Sequence, residues 1–247
     1  MFHTGGRPPL STLRRLAVQH EIRPVHLKPS AALAKRVLLP DDPHRALAVA
    51  QHLLEGPRMF NHHRGLWGYT GVASDGDPLT IQSSGMGGPS AAIVVEELVA
   101  LGARRLVRIG TCGALVAGLD LGAVVAVERA LPCDGASAAL GANGSVSGSH
   151  ALLERLVATG ARAATVVSTD LFYDRRGGEA AGWVEQGAIA VEMETAAIFQ
   201  VASRRGAEAA CVLGVTADPD EYRATPEQVE TIGLRVGDAG YAALRTL

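Results

Sequence analysis

The run from Arg104 to Leu115, Arg-Arg-Leu-Val-Arg-Ile-Gly-Thr-Cys-Gly-Ala-Leu, limits the choice of fold more than any other part of the chain. Its Leu, Val and Ile residues leave no solvent-facing side, so it reads as a strand buried on both faces, the kind found in α/β proteins. Gly110 and Gly113 stand at its end, where the backbone can turn sharply. Arg108 lies inside it, between Val107 and Ile109. A guanidinium is almost never fully buried unless it is paired. Either an anion meets Arg108 at the strand's end, or an internal carboxylate holds it in the sheet. Thr111 adds a hydroxyl and a backbone N–H at the same edge.

A chain of 247 residues, 47% hydrophobic and 4% aromatic, suits one packed α/β domain. Residues 1–25 lack periodicity and read as a loosely held N-terminal extension, which leaves 26–247 as the domain. With 23 basic and 25 acidic residues the formal net charge is -2, without the excess that nucleic-acid or anionic-membrane binders carry. Any phosphate it binds should be small and local. Cys112, Cys133 and Cys211 have neither a disulfide framework nor metal-ligand spacing, which suits a reducing cytoplasm. No apolar run approaches the roughly 18 to 20 residues that span a bilayer.

The rest of the chain alternates short apolar runs with amphipathic ones. Residues 36–40 read as a buried strand, and Asp42 and Pro43 open a helix running to about residue 54. Arg45 sits in its first turn, at an anion site or on an ordinary capped helix. Residues 64–71 and 78–83 read as adjacent strands joined at Asp75-Gly-Asp77. A glycine-rich loop, Ser84 to Ser90, leads into a helix from residue 89 to about 101. Residues 121–127 form a strand, 135–149 a Gly/Ala/Ser-rich mobile excursion, 149–159 a helix and 163–168 a strand ending in Phe172 and Tyr173. Those aromatics either join the core or stack on a flat ligand. A strand at 189–191 runs into Glu192-Met193-Glu194 and a helix to about residue 204. The two carboxylates serve either the helix dipole or a polyhydroxylated or cationic ligand. Asp218 follows the last buried strand, 207–217, where it either caps a turn or does chemistry. An amphipathic helix closes the chain from residue 226. The ligand-like residues all follow the carboxyl ends of strands, where open α/β sheets gather their sites.

In order and together, these segments resemble the nucleoside phosphorylase-I family, which includes the hexameric bacterial purine nucleoside phosphorylases and the uridine phosphorylases. Pro40-Asp-Asp-Pro-His-Arg45 is similar to the family's Pro-Gly-Asp-Pro-x-Arg phosphate loop, with Asp41 in place of glycine. Arg64-Gly-Leu-Trp-Gly-Tyr-Thr-Gly71 resembles its second arginine strand, and Gly85-Met-Gly-Gly-Pro-Ser90 its glycine loop. Val107-Arg-Ile-Gly-Thr-Cys-Gly113, Asp170-Leu-Phe-Tyr173 and Val191-Glu-Met-Glu194 complete the set. The resemblance runs from about His26 to the C-terminus.

What the resemblance implies is a three-layer α/β/α fold around a mixed, partly barrel-like sheet, assembled as a homohexamer, a trimer of dimers with shared active sites. Arg45, Arg108, Thr111 and the backbone at Asp41 would hold phosphate, with Arg64 supplied by a neighbouring subunit. Met86, Met193 and Glu194 would hold the ribose, Glu192 belonging to the same nucleoside-binding set, and the neighbour's His26 would contact the 5′-hydroxyl. Phe172 would pack against the base, and Asp218 matches the aspartate that protonates a leaving purine. The implied reaction is phosphorolysis of purine (deoxy)ribonucleosides, with inorganic phosphate as co-substrate and no metal or organic cofactor. The short connection between Phe172 and Glu192 and the acid at Asp218 resemble the purine branch; Gly87-Gly-Pro-Ser90 and Asp134-Gly-Ala-Ser137 look more like the uridine branch. A uridine phosphorylase, or a nucleosidase using water, is the alternative, although a hydrolase has no need of three arginines around an anion. Near the spacing of the arginine that assists the purine acid the chain has Thr231, with Arg223 as a substitute for it.

Overall fold

A computed structural model of the chain describes residues 22–173, 179–220 and 222–245. Most of the expected extension, 1–25, lies outside them. Among the described residues, one nine-stranded mixed sheet organises the protein. Its strands are β1 (Arg36–Leu39), β2 (Leu54–Asn61), β3 (Gly68–Ala73), β4 (Pro78–Gln82), β5 (Arg105–Ala114), β6 (Val124–Cys133), β7 (Arg162–Thr169), β8 (Ala188–Glu192) and β9 (Glu208–Ala217). They run in the order β2-β3-β4-β1-β5-β8-β7-β6-β9, and β9 also pairs with β5. That last pairing closes β5, β8, β7, β6 and β9 into a five-stranded barrel, while β2 to β4 and β1 form an open wing.

Helices cover both faces. On one side α1 (Pro43–Leu53), α4 (His150–Val157) and α7 (Pro226–Leu244) pack Val49, Leu156 and Val236 against Leu38, Val107, Ile109 and Val212. On the other, α2 (Gly88–Leu101) and α6 (Thr195–Arg205) pack Val95, Leu98 and Ile198 against Val37, Leu39 and Leu106. The alternation of neighbouring β1 residues between the two cores is the period-2 signature of a strand covered on both sides. The three-layer α/β/α expectation therefore holds. Short helices α3 (Gly135–Ala139) and α5 (Glu179–Glu185) flank β6 and β8. Among the described residues no helix is long and apolar enough to cross a membrane.

Several local expectations change. β5 does not turn at Gly110 or Gly113; it runs to Ala114, because Thr111 and Cys112 are paired with Gly214 and Val215 of β9. Gly110 serves a different end. A Cβ there would lie 2.7 Å from the Arg108 guanidinium, so the missing side chain gives that head group its room. Residues 54–61 form β2, hidden in the sequence by Gly56 and Pro57, which are tolerated because β2 is an edge strand. Arg64 is not on a strand but on the one-turn 3-10 helix His63–Gly65, at φ 60°. The strand expected at 121–127 starts at Val124 and continues to Cys133. The excursion expected at 135–149 contains α3, capped by Asp134 and carrying the buried Ser137.

Candidate functional site

The register of β5 builds the site. Arg108 has the parity of Leu106, so it faces α2 and α6. β8 runs antiparallel to β5, with Val191 opposite Gly113, and so carries Glu192 and Glu194 back towards Arg108. Arg108 Nε lies 3.1 Å from Glu192 Oε2 and Nη2 lies 2.5 Å from Glu194 Oε2. All three side chains are buried, Arg108 with 1% exposure. Its Nη1 is buried without a hydrogen-bond partner.

Glu192 is fully engaged. It accepts from Arg108 Nε, from the Ser168 hydroxyl and from the backbone N–H groups of Glu194 and Thr195 at the start of α6. Glu194 accepts from the Gly87 N–H at 2.6 Å, and Gly87 reaches that position with φ 83°, a conformation favouring glycine. Burial pushes the Glu194 carboxyl up to about 7; Arg108 opposes the rise, while Glu192 and Asp41 add to it. Burial disfavours charge on Arg108 as well, but Glu194, Glu192 and Asp41 outweigh that and keep it firmly protonated.

The second arginine enters from α1. β1 ends at Leu39, opposite Arg108, so the loop that follows lies beside the continuing half of β5. Asp42 caps α1 by accepting from the His44 N–H at 2.8 Å. Arg45, in the helix's first turn, packs its stem against Gly233 of α7 and ion-pairs with Asp41 Oδ1, which also accepts from the Asp42 N–H at 3.0 Å. Burial raises the Asp41 carboxyl, but Arg45, Arg108 and the backbone donors outweigh it and hold the group below the usual carboxylate range. Arg45, Asp41, Arg108, Glu192 and Glu194 thus form one electrostatic cluster. Arg108 meets internal carboxylates, and the anion alternative is not displaced by them, since one of its nitrogens still lacks a partner.

The other expected residues lie around this cluster or apart from it. Thr111 is half-buried on β5, with the parity of Ile109, on the side of α1 and α7. Met86 is 81% exposed in the glycine loop, and Met193 is half-buried between the two glutamates. Asp218 follows β9, its Oδ1 accepting from the N–H groups of Asp220 and Tyr222. Arg223 sits opposite Ala217 and lays its guanidinium over the Phe172 ring, 5.1 Å from the centroid. Phe172 is 58% exposed and Tyr173 more so, which removes the core alternative for both.

His26 and Arg64 are outside the cluster and near one another. His63, on the turn that carries Arg64, places its Nδ1 3.1 Å from the His26 carbonyl. His26 Nδ1 lies 2.7 Å from Glu97, whose carboxylate also accepts the backbone N–H groups of Val25, His26 and Leu27. Sequence reasoning missed Glu97. Its signal was an acid on the apolar face of α2, between Val94 and Leu98, which a buried helix carries only with partners. Ser168 and Gly110, which shape the setting of Glu192 and Arg108, left no such signal. Among the described residues no three His, Cys, Asp or Glu side chains gather as a metal site.

The phosphorylase superfamily model matches residues 35–246. A purine nucleoside phosphorylase DeoD-type from Caldanaerobacter subterraneus subsp. tengcongensis is 34% identical over 194 residues, 74% of this chain and 83% of that protein. One from Jannaschia sp. is 36% identical over 195 residues, 74% and 82% of the two chains. One from Geobacillus kaustophilus is 34% identical over 194 residues, 74% and 81%.

Proposed function

The chain belongs to the phosphorylase superfamily, and from that premise we propose that it cleaves purine (deoxy)ribonucleosides with inorganic phosphate, releasing the free base and (deoxy)ribose 1-phosphate. The observation that carries the proposal is that Arg45 and Arg108 both act on the Asp41 carboxyl, while Arg108 is also paired with Glu194, a carboxyl suited to a sugar. In this reading Arg45, Arg108, Thr111 and the backbone at Asp41 hold phosphate, and Arg64 of a neighbouring subunit completes the seat. Glu194 accepts from the ribose hydroxyls, with Met86 and Met193 against the sugar, Glu192 orienting the pair, and His26 of the neighbouring subunit at the 5′-hydroxyl.

The chemistry follows from these positions. A phosphate oxygen attacks C1′ as the C1′–N9 bond breaks, through a sugar carrying positive charge and a base gaining negative charge. A phosphate fixed by guanidiniums both supplies the nucleophile at high effective concentration and stabilises the cationic sugar. Asp218 donates a proton at N7, so the purine leaves neutral. Phe172, with Arg223 over its ring, offers a flat face to the base. The proximity of His26 to the Arg64 turn supports a shared site, since one partner copy docked there would receive both residues. We further propose that residues 26–247 act as one domain, in a cytoplasmic homohexamer built from such pairs, with no metal or organic cofactor.

The test is incubation of the purified protein with inosine, adenosine and uridine, each with and without phosphate, followed by chromatography of base and sugar. Phosphate-dependent hypoxanthine or adenine release is expected. Uracil release in place of purine would move the protein to the pyrimidine branch and remove the role given to Asp218.

A further inference from the structure

We propose that Asp41 is a resident anion in the phosphate seat: its carboxylate occupies donors that inorganic phosphate needs, and must swing off Arg45 before phosphate binds. The inference rests on the reading of Arg45 and Arg108 as that seat and adds what governs entry to it.

Asp41 Oδ1 takes the Arg45 guanidinium and the Asp42 N–H together. Those are a cation and a backbone donor at the start of an eleven-residue helix, the combination that makes a helix N-terminus bind phosphate. Nearby, Arg108 is held by Glu192 and Glu194 through two nitrogens, while the third, Nη1, is buried without a partner. The cluster therefore holds one open donor as well as the two that Asp41 fills, and the charges of Asp41 and Arg108 act on one another.

Charge points the same way. Three carboxyls, those of Asp41, Glu192 and Glu194, face two guanidiniums, those of Arg45 and Arg108. A phosphate entering beside the Asp41 carboxylate meets like charge at Arg45 unless that carboxylate turns away. Glu192 is locked by four donors, and Glu194 is buried against Gly87 and Arg108. Asp41 is the outermost of the three, with 19% of its side chain exposed, against 9% for Arg45. Its backbone is anchored, the carbonyl accepting from the Ser83 hydroxyl at 2.8 Å. Rotation of the Asp41 side chain towards solvent frees Arg45 and the Asp42 N–H without moving the loop.

Calorimetric titration of inorganic phosphate into the nucleoside-free protein tests this directly on wild type, Asp41→Gly and Asp41→Asn. The expected result is tighter phosphate binding in both variants, by about tenfold, the factor that 1.4 kcal/mol of removed competition gives. The near-isosteric Asn variant keeps the test meaningful if the Gly variant fails to fold. Equal dissociation constants in all three proteins would overturn the proposal. Tightening in Asp41→Gly but not Asp41→Asn would overturn it too, since bulk rather than charge would then be the obstacle. If both variants bind phosphate more tightly yet no nucleoside is ever cleaved, the phosphorolytic reading fails and the resident anion stands; if wild type needs phosphate for cleavage but the variants bind it no better, the reverse holds.

Discussion

Arg108 Nη2 meets Glu194 Oε2 at 2.5 Å, with both side chains buried beneath the N-terminus of α6. This contact joins the two halves of the site. The guanidinium proposed to hold phosphate is also the counter-charge of the carboxyl proposed for the sugar, so under that proposal each half is sensed by the other.

Glu194 should therefore write its titration into both stability and activity. Its carboxyl ordinarily titrates near 4.5 and here near 7, raised mainly by burial. Between those values the folded protein keeps a proton that the unfolded chain has released, so this group makes the fold less stable as pH rises, by at most about 1.4 kcal/mol per pH unit. Denaturant unfolding from pH 4.5 to 7.5 should show that slope in wild type and a flatter one in Glu194→Gln. With the ionised form taken, as proposed, to accept from the ribose hydroxyls, kcat/KM for inosine should rise with pH through about 7.

Gly110→Ala should damage the site from within the sheet. The added methyl would lie 2.7 Å from the Arg108 guanidinium and 3.0 Å from the Leu213 side chain. Such overpacking costs about 1–3 kcal/mol, and displacement of Arg108 should lower kcat/KM by about a hundredfold. Denaturant melts and steady-state kinetics check both. Wild-type kinetics in a folded Ala variant would mean that Arg108 does not need its present position.

Glu97→Gln should act at a distance, through His26. Glu97 gathers the N–H groups of residues 25–27 and the His26 ring on one carboxylate. Weakening that clamp should raise KM for inosine several-fold and leave KM for 5′-deoxyinosine, which lacks the hydroxyl that His26 is assigned, unchanged. An equal rise for both nucleosides would assign Glu97 to stability alone.

Arg64→Ala and Arg108→Ala should each be nearly inactive alone and complement when mixed. In a pair of subunits that share two sites, a mixed pair carries one site with both defects and one with neither. Random mixing then restores about a quarter of wild-type activity. Activity of the co-refolded mixture, against each variant alone, is the measurement; no recovery would place Arg64 outside the neighbour's site.

The sequence made the central strands and covering helices legible because their apolar residues follow simple periods: β1, β5, β7, β8 and β9 fall where buried runs stand, and the cap at Asp42 opens its helix. The edge strand β2 stayed hidden, since an edge tolerates Gly56 and Pro57 and reads as loop. The site residues were legible as types but not as partners. Arg108 demanded an anion, yet no pattern told that Glu192 and Glu194 would meet it, because that depends on β8 running antiparallel to β5. Similarly, the ion pair of Asp41 and Arg45 lies four residues apart and was within reach of sequence reasoning, but its place beside Arg108 depends on the register of β1 against β5.

The most direct measurement is phosphorus NMR of the wild-type protein with inosine and inorganic phosphate. The phosphate signal is expected to decline as a ribose 1-phosphate signal grows in step with hypoxanthine. Hypoxanthine release at undiminished phosphate, with free ribose as the sugar product, would contradict it.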